Sequence, residues 1–201
     1  MTYVASFIMN CEVGLMKKQI DSLLKKAMWV AVALFVIRCA VSFEEIKTNP
    51  SLYAFFGYAG EAVGLAAIVM ILYEKWLWRY DPLSGVPCIK GYYEGSFTST
   101  YDLVKREASL TVTQSFLSVG LTMSTNESHS RSIAASIDNA SGVNRLVFSY
   151  QNDPMAEVRD RSQIHYGSAM LTLDEKDCLK GTYFTDRKTT GDLCFTKVTR
   201  S

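Results

Sequence analysis

The chain has 201 residues, is 48% hydrophobic and 20% charged, and carries a formal net charge of +1. That length fits one or two domains, and the near-neutral balance argues against a general nucleic-acid surface, which shows a basic stripe. Two histidines, His129 and His165, and five scattered cysteines without C-x-x-C spacing argue against a zinc site and for free thiols in a reducing compartment.

Residues 1–20, "MTYVASFIMNCEVGLMKKQI", fit either the start of a longer first helix or an amphipathic segment lying in a membrane interface. The run "AMWVAVALFVIRCAVSF" follows at 27–43. With Leu23 and Leu24 it approaches the ~20 residues a membrane span needs, which predicts a helix over about 23–43. A second run, "LYAFFGYAGEAVGLAAIVMILY", leads into "EKWLWRY" and predicts a helix over about 52–77. Trp76, Trp78 and Tyr80 suit an interfacial aromatic belt. The linker "EEIKTNP" is short, so residues 1–80 read as a two-helix transmembrane hairpin region.

Lys17, Lys18, Lys25 and Lys26 precede the first run, Lys75 and Arg79 follow the second, and the linker holds Lys47 beside Glu44 and Glu45. The positive-inside rule then places both termini in the cytoplasm, with a multi-pass topology. A cleaved signal peptide is the competing reading; it lacks a basic stretch within residues 1–16, and a second span follows. Arg38 and Glu61 lie inside the runs, where a charge costs at least ~2.5 kcal/mol near the bilayer centre. Arg38 can snorkel to the interface, and Glu61 can pair with it, be protonated or face a water-filled path in an oligomer. Gly60 and Gly64, with Gly57 and Ala67 nearby, form a small-residue stripe for close helix packing, within one chain or between chains.

From residue 81 the chain changes character and reads as a separate domain to residue 201. Period-two alternation predicts eight strands, at about 90–99, 108–114, 117–124, 130–138, 144–151, 163–173, 178–186 and 191–199. Turn chemistry separates them, as in "STNESHS", "DNASGVN", "QNDPMAEVRD" and "RKTTG". Short consecutive strands favour an up-and-down antiparallel meander, and eight can close into a minimal β-barrel; a two-sheet sandwich is the alternative.

In "SHSRSIAASI", Ser128, Ser130 and Ser132 alternate with His129, Arg131 and Ile133. One row faces inward. A serine row there suits a polar ligand, and a serine row outward is an ordinary solvated face. Tyr92, Tyr93, Tyr150, Tyr166 and Tyr183 are the type that stacks on bases while hydrogen-bonding at the tip. Leu146, Phe148 and Tyr150 share one face, and His165 shares parity with Ala169, Leu171 and Leu173. Arg187 is the best single anion candidate, because its planar fork matches phosphate oxygens. Its competing reading is an exposed hairpin-tip charge. With Tyr183 and Thr189 it forms the only Tyr-x-x-x-Arg-x-Thr grouping in this half of the chain. No Gly-rich phosphate loop, nucleophile elbow or metal cluster is present in the sequence, so an enzyme is not expected and neither a cofactor nor a metal is called for.

Two apolar runs followed by "WRYDPLSGVPCIKGYYEGSFTST", "QSFLSVGLTMSTNESHSRSIAASI", "YQNDP" and "GTYFTDRKTTGDLCF" resemble the two-transmembrane β-strand-rich effectors of bacterial CBASS antiphage defence. The similarity covers about residues 20–199. It implies a β-barrel that binds a cyclic oligonucleotide, most simply a cyclic dinucleotide made by a partner synthase, rather than DNA or RNA. It further implies homo-oligomeric helices that break the inner membrane and kill or arrest the infected cell. A related arrangement holds such an effector silent with a continuously made cyclic dinucleotide until a phage sponge depletes it. A membrane-anchored, lipocalin-like barrel for a small molecule is the remaining alternative; it requires a broad apolar lumen. Read from the residues themselves, Arg187, Thr189, Tyr183, Tyr93, Tyr150, Ser130, Arg131 and His165 are the expected nucleotide-facing residues, and Arg38, Glu61, Gly60 and Gly64 the expected membrane-active ones.

Overall fold

The computed structural model describes residues 2–139, 142–174 and 177–199. The chain divides into two compact units, one Lys17–Ser84 and the other containing the residues from Gly85 onward.

Three helices precede the strands: α1, Thr2–Val41; α2, Phe43–Thr48; and α3, Leu52–Lys75. No proline interrupts the chain before Pro50, so residues 2–20 and the first apolar run join in one continuous helix. Of the two readings for residues 1–20, the longer helix is the one observed. Proline disfavours helical geometry in the residue before it. Asn49 accordingly leaves the helix at φ −140°, ψ 74°, and α2 ends. Ser51 is extended as well, and α3 starts afresh one residue later.

Within this unit α1 and α3 lie antiparallel. Phe35 meets Phe55 edge to face with ring centroids 5.0 Å apart. Arg38 Nε donates to Glu61 Oε2 at 2.9 Å, and its guanidinium lies 4.4 Å from the Tyr58 ring centroid. The two intramembrane charges expected from the sequence therefore pair with each other. At the other end Lys26 pairs with Asp81, and the Tyr73 hydroxyl donates to the same Asp81 oxygen at 2.6 Å. Those two donors hold the Asp81 carboxyl down at about 2.

α3 is long and apolar enough to cross a membrane by length and composition. It buries Tyr58, Ala62, Ala66 and Tyr73 but leaves Phe56, Val63, Ile68 and Ile71 exposed. Apolar side chains therefore face outward over much of α3 as well as inward. Ala62 and Ala66 occupy its buried face. A Cβ added at Gly57, Gly60 or Gly64 would meet nothing within 4 Å. The glycine stripe is thus open, not used inside the hairpin.

The second unit contains eight strands: β1, Gly91–Ser99; β2, Lys105–Gln114; β3, Val119–Ser124; β4, Ser128–Asp138; β5, Arg145–Pro154; β6, His165–Asp174; β7, Cys178–Thr185; and β8, Thr190–Val198. Each pairs antiparallel with the next, and β8 closes on β1. The up-and-down barrel is therefore the observed architecture, and the sandwich is not. Closure removes every free sheet edge.

Side chains fill the interior. Leu171 and Leu179 are 0% exposed, and Leu110, Val112, Leu121, Leu146, Phe148, Ala169, Leu193 and Phe195 pack with them. Each fully buried leucine contributes roughly 1.5–3 kcal/mol. The inward set follows strict alternation except in β4, where a bulge shifts the register between Ser132 and Ala134. The bulge lets Ser132 and then Ala135 and Ile137 all face inward, opposite Tyr150, Phe148 and Leu146.

Candidate functional site

The two barrel ends differ chemically. One end is plugged. The Gln114 side chain accepts the backbone N–H groups of Ile89 and Lys90 at 2.8 and 3.1 Å and donates to the Pro87 carbonyl at 2.9 Å. Tyr93, 0% exposed, donates its hydroxyl to the Ile89 carbonyl at 2.8 Å. Burial pushes that hydroxyl up to about 12, so it stays a neutral structural donor. Tyr93 thus lies at the plugged end, and the structure does not bring it together with the other candidates.

The opposite end is the mouth, reached by the ends of β1, β3, β5 and β7 and the starts of β2, β4, β6 and β8. The inward parity there presents Ser99, Arg106, Met123, Ser130, Asn152, His165 and Thr185. These positions are mostly polar, above an apolar interior. The serine row of β4 therefore faces inward, and His129, Arg131 and Ile133 project outward. Arg131 cannot share the mouth with Ser130, because neighbours on a strand point to opposite faces.

Ser130 and Asn152 are direct cross-strand partners, and Asn152 faces His165 on the next strand. The Ser130 Oγ and Asn152 Oδ1 are buried and have no hydrogen-bond partner. A buried polar atom left without a partner costs about 1–3 kcal/mol, so these two, side by side just beneath the mouth, are an unsatisfied polar pair that a small side-chain movement would offer to a ligand. His165 Nδ1 donates to the Gln163 carbonyl at 3.1 Å, which leaves Nε2 to accept from Asn152 Nδ2 at 3.5 Å. Burial lowers the His165 imidazole below its ordinary range; the Gln163 carbonyl opposes this and Arg187 reinforces it. The neutral ring is therefore the folded form at neutral pH.

A base with a lowered folded pKa binds protons more readily when unfolded. Its destabilising effect is absent above the unfolded value of about 6.5 and grows as pH falls below it, towards the folded value. The barrel is expected to melt at lower temperature at pH 5.5 than at pH 7.5. His165→Gln should flatten part of that dependence, as read by circular-dichroism melts across the range.

Below this ring sit Tyr150 and Tyr183, 6% and 8% exposed. Tyr183 meets Phe97 edge to face at 6.3 Å. The Tyr150 hydroxyl occupies space that Gly167 leaves open; a Cβ there would lie 2.4 Å from it. Burial raises the Tyr150 hydroxyl well above its usual range, so it remains a proton donor.

Four arginines line the rim. Arg106 is forked onto Asp102, with Nη1 donating to Oδ1 at 3.0 Å and Nη2 to Oδ2. Arg159 pairs with Asp153 at 3.0 Å and Arg161 with Glu127 at 2.6 Å. Arg187 donates instead to the Gln163 carbonyl and to Ser162 Oγ. Among the described residues its partners are neutral, so its charge stays available to an anion. Thr189 closes the same hairpin through a 2.7 Å contact with Thr185.

Of the expected nucleotide-facing residues, the mouth gathers Tyr183, Tyr150, Ser130, His165, Arg187 and Thr189. Five others that line it are not among the residues expected from the sequence: Ser99, Arg106, Met123, Asn152 and Thr185. Arg106 shares parity with Ala108, Leu110 and Val112, and this alternation marks it as inward in a strand that begins at Lys105.

Residues 84–197, more than half of the chain, match the family described as Cap15, cyclic dinucleotide receptor domain. The chain is also 27% identical over 187 residues to CD-NTase-associated protein 15 of Staphylococcus schleiferi; the match covers 91% of this chain and 100% of that protein.

Proposed function

Because the chain belongs to the Cap15 family, whose receptor domain is described as binding cyclic dinucleotides, we propose that its barrel mouth binds such a ligand and that it serves as an antiphage CBASS effector. The observation that carries this reading is the pair of partnerless buried atoms, Ser130 Oγ and Asn152 Oδ1, at the open polar end of a filled barrel. A cyclic dinucleotide offers base edges to such atoms, π-faces to Tyr150 and Tyr183, and phosphodiester oxygens to Arg187 and Arg106. The lipocalin-like alternative needs an apolar lumen, and the packed leucines and aromatics occupy that space. Titrating the full chain in detergent with a panel of cyclic di- and trinucleotides tests the proposal. We expect a melting-temperature rise with one or more dinucleotides and at least about tenfold weaker binding for Arg187→Ala. A flat response across the panel would sink the receptor reading.

In this reading the helices sit in the bacterial inner membrane with both termini and the barrel on the cytoplasmic side, following Lys17, Lys18, Lys25 and Lys26 before the first apolar run and Lys75 and Arg79 after the second. Ligand binding alters contacts between copies and so controls helix assembly, and assembled helices disrupt the bilayer. The open stripe at Gly57, Gly60 and Gly64 supports packing between chains. A Cβ at position 64 meets nothing within 4 Å, so Gly64→Leu points a side chain away from its own hairpin. It should therefore leave expression and nucleotide affinity unchanged and abolish dye entry into cells. Unchanged dye entry would move assembly away from this stripe. Whether ligand promotes or suppresses assembly is read directly by cross-linking with and without it.

A further inference from the structure

A groove of about 470 Å³ runs between α1 and α3, open along one side. It falls within the roughly 300–1,000 Å³ of small-molecule sites. Trp29, Val30, Val69 and Met70 supply its apolar walls, and Ser22 and Lys25 stand at one end. Lys26 and Tyr73 also border it, but both are engaged with Asp81. Lys25 is exposed, and among the described residues no carboxylate pairs with it. The groove begins where the apolar run begins, beside Trp29 and near the level of Trp76 and Trp78.

We propose that this groove is a site for an anionic phospholipid. One acyl chain lies against Trp29, Val30, Val69 and Met70, and the headgroup phosphate meets Lys25 and the Ser22 hydroxyl. The inference rests on the membrane placement proposed above. Three observations select this occupant over others. The walls are apolar over the length of the groove, which suits a hydrocarbon chain. The cationic end lies at the edge of the apolar run, where a lipid phosphate sits. In the sequence flanking that end, Lys17, Lys18, Lys25, Lys75 and Arg79 outnumber Asp21 and Glu74, a balance that matches the negative charge of an anionic leaflet. A second copy of the chain would have to bring an acidic side chain to Lys25, whereas a phosphate needs only the headgroup already at that depth.

The test uses the full chain, delipidated in detergent and returned to vesicles of phosphatidylglycerol and phosphatidylcholine. Bound lipid is counted by native mass spectrometry, and vesicle flotation is measured in parallel. The wild type is expected to float and to retain phosphatidylglycerol about fivefold over phosphatidylcholine, the preference one lysine gives at an anionic surface. Lys25→Glu should float yet lose that preference, and Val69→Trp, which fills the groove, should lose both lipids. Failure of the wild type to float overturns the membrane placement, and this site with it. Flotation with no headgroup preference, or a preference unchanged in Lys25→Glu, overturns the lipid site alone. Efficient disulfide dimerisation through Met70→Cys, which shows a second copy covering the groove, overturns it as well.

Discussion

Arg106→Ala is expected to weaken cyclic dinucleotide binding by at least tenfold, approaching a hundredfold, while moving the melting temperature by only a few degrees. Arg106 stands on the inward parity of β2 at the mouth and lies within electrostatic range of the Tyr183 hydroxyl and Glu127 as well as Asp102. Its fork is already oriented by Asp102, so little side-chain freedom is lost when a phosphate arrives. Each charge-assisted hydrogen bond to a phosphate oxygen contributes about 1.5–3 kcal/mol, and each 1.4 kcal/mol is tenfold. The Asp102–Arg106 pair is solvent-screened, and such pairs add little to folding, which keeps the stability change small. Arg106→Lys keeps the charge and loses the bidentate geometry, so it should fall between wild type and alanine. Arg131→Ala removes an equal charge from the outer wall and should bind as wild type does. Calorimetric titration of the three variants in one salt concentration checks the order. Equal affinity for Arg106→Ala and wild type would remove the phosphate from this side of the mouth.

Much of this arrangement is legible in the sequence, and the illegible part has identifiable causes. Strand number and up-and-down order follow from period-two runs split by Asn, Asp, Gly and Pro turns, whereas closure is seen only in the pairing of β8 with β1. Strand ends are harder, because polar residues finishing a strand resemble the loop beyond. Asn152 sits in "QNDP", a turn by composition, yet β5 continues to Pro154. Lys105 to Glu107 look like loop and begin β2. The orientation of the serine row was undecidable because the β4 bulge carries no strong residue signature, and one extra residue reverses which face each side chain takes. Tyr93 shows a different failure: residue type alone does not tell which end of a barrel a tyrosine occupies. Strand direction does. In an up-and-down barrel odd strands run from plug to mouth and even strands return. Tyr93, early in β1, belongs to the plug. Tyr150 and Tyr183, late in β5 and β7, belong to the mouth, as do Arg106, Ser130 and His165, early in β2, β4 and β6.

Gly181→Ala should cost the barrel several kcal/mol of stability, and the reason is geometric. Gly181 lies on the inward parity of β7, between Leu179 and Tyr183, and pairs with Leu171 of β6. A Cβ placed there would stand 1.9 Å from the Met170 carbonyl oxygen and 2.9 Å from the Leu171 Cα. Both atoms are backbone, so no rotamer change relieves the overlap. β6 and β7 must part, and parting them strains the ladder on which Leu171 and Leu179, the most deeply buried leucines, are carried. Overpacking of this kind costs typically 1–3 kcal/mol when side chains can yield, and more when backbone must move. At least about 3 kcal/mol is expected here, a fall in melting temperature on the order of 10 °C or more. Gly64→Ala, in the open stripe of α3, serves as the matched control and should leave the barrel transition in place. The two are compared by far-ultraviolet circular dichroism of the full chain in detergent, following the β signal. A Gly181→Ala barrel that melts with the wild type would mean that β6 and β7 already stand further apart than their register implies. The loss, when present, also reaches the site. Tyr183 and Thr185 follow Gly181 on the same strand, so a displaced β7 carries the Tyr183 ring away from Tyr150 and tilts the hairpin that presents Arg187. Nucleotide affinity should therefore fall with stability in Gly181→Ala, whereas in Arg106→Ala it falls alone.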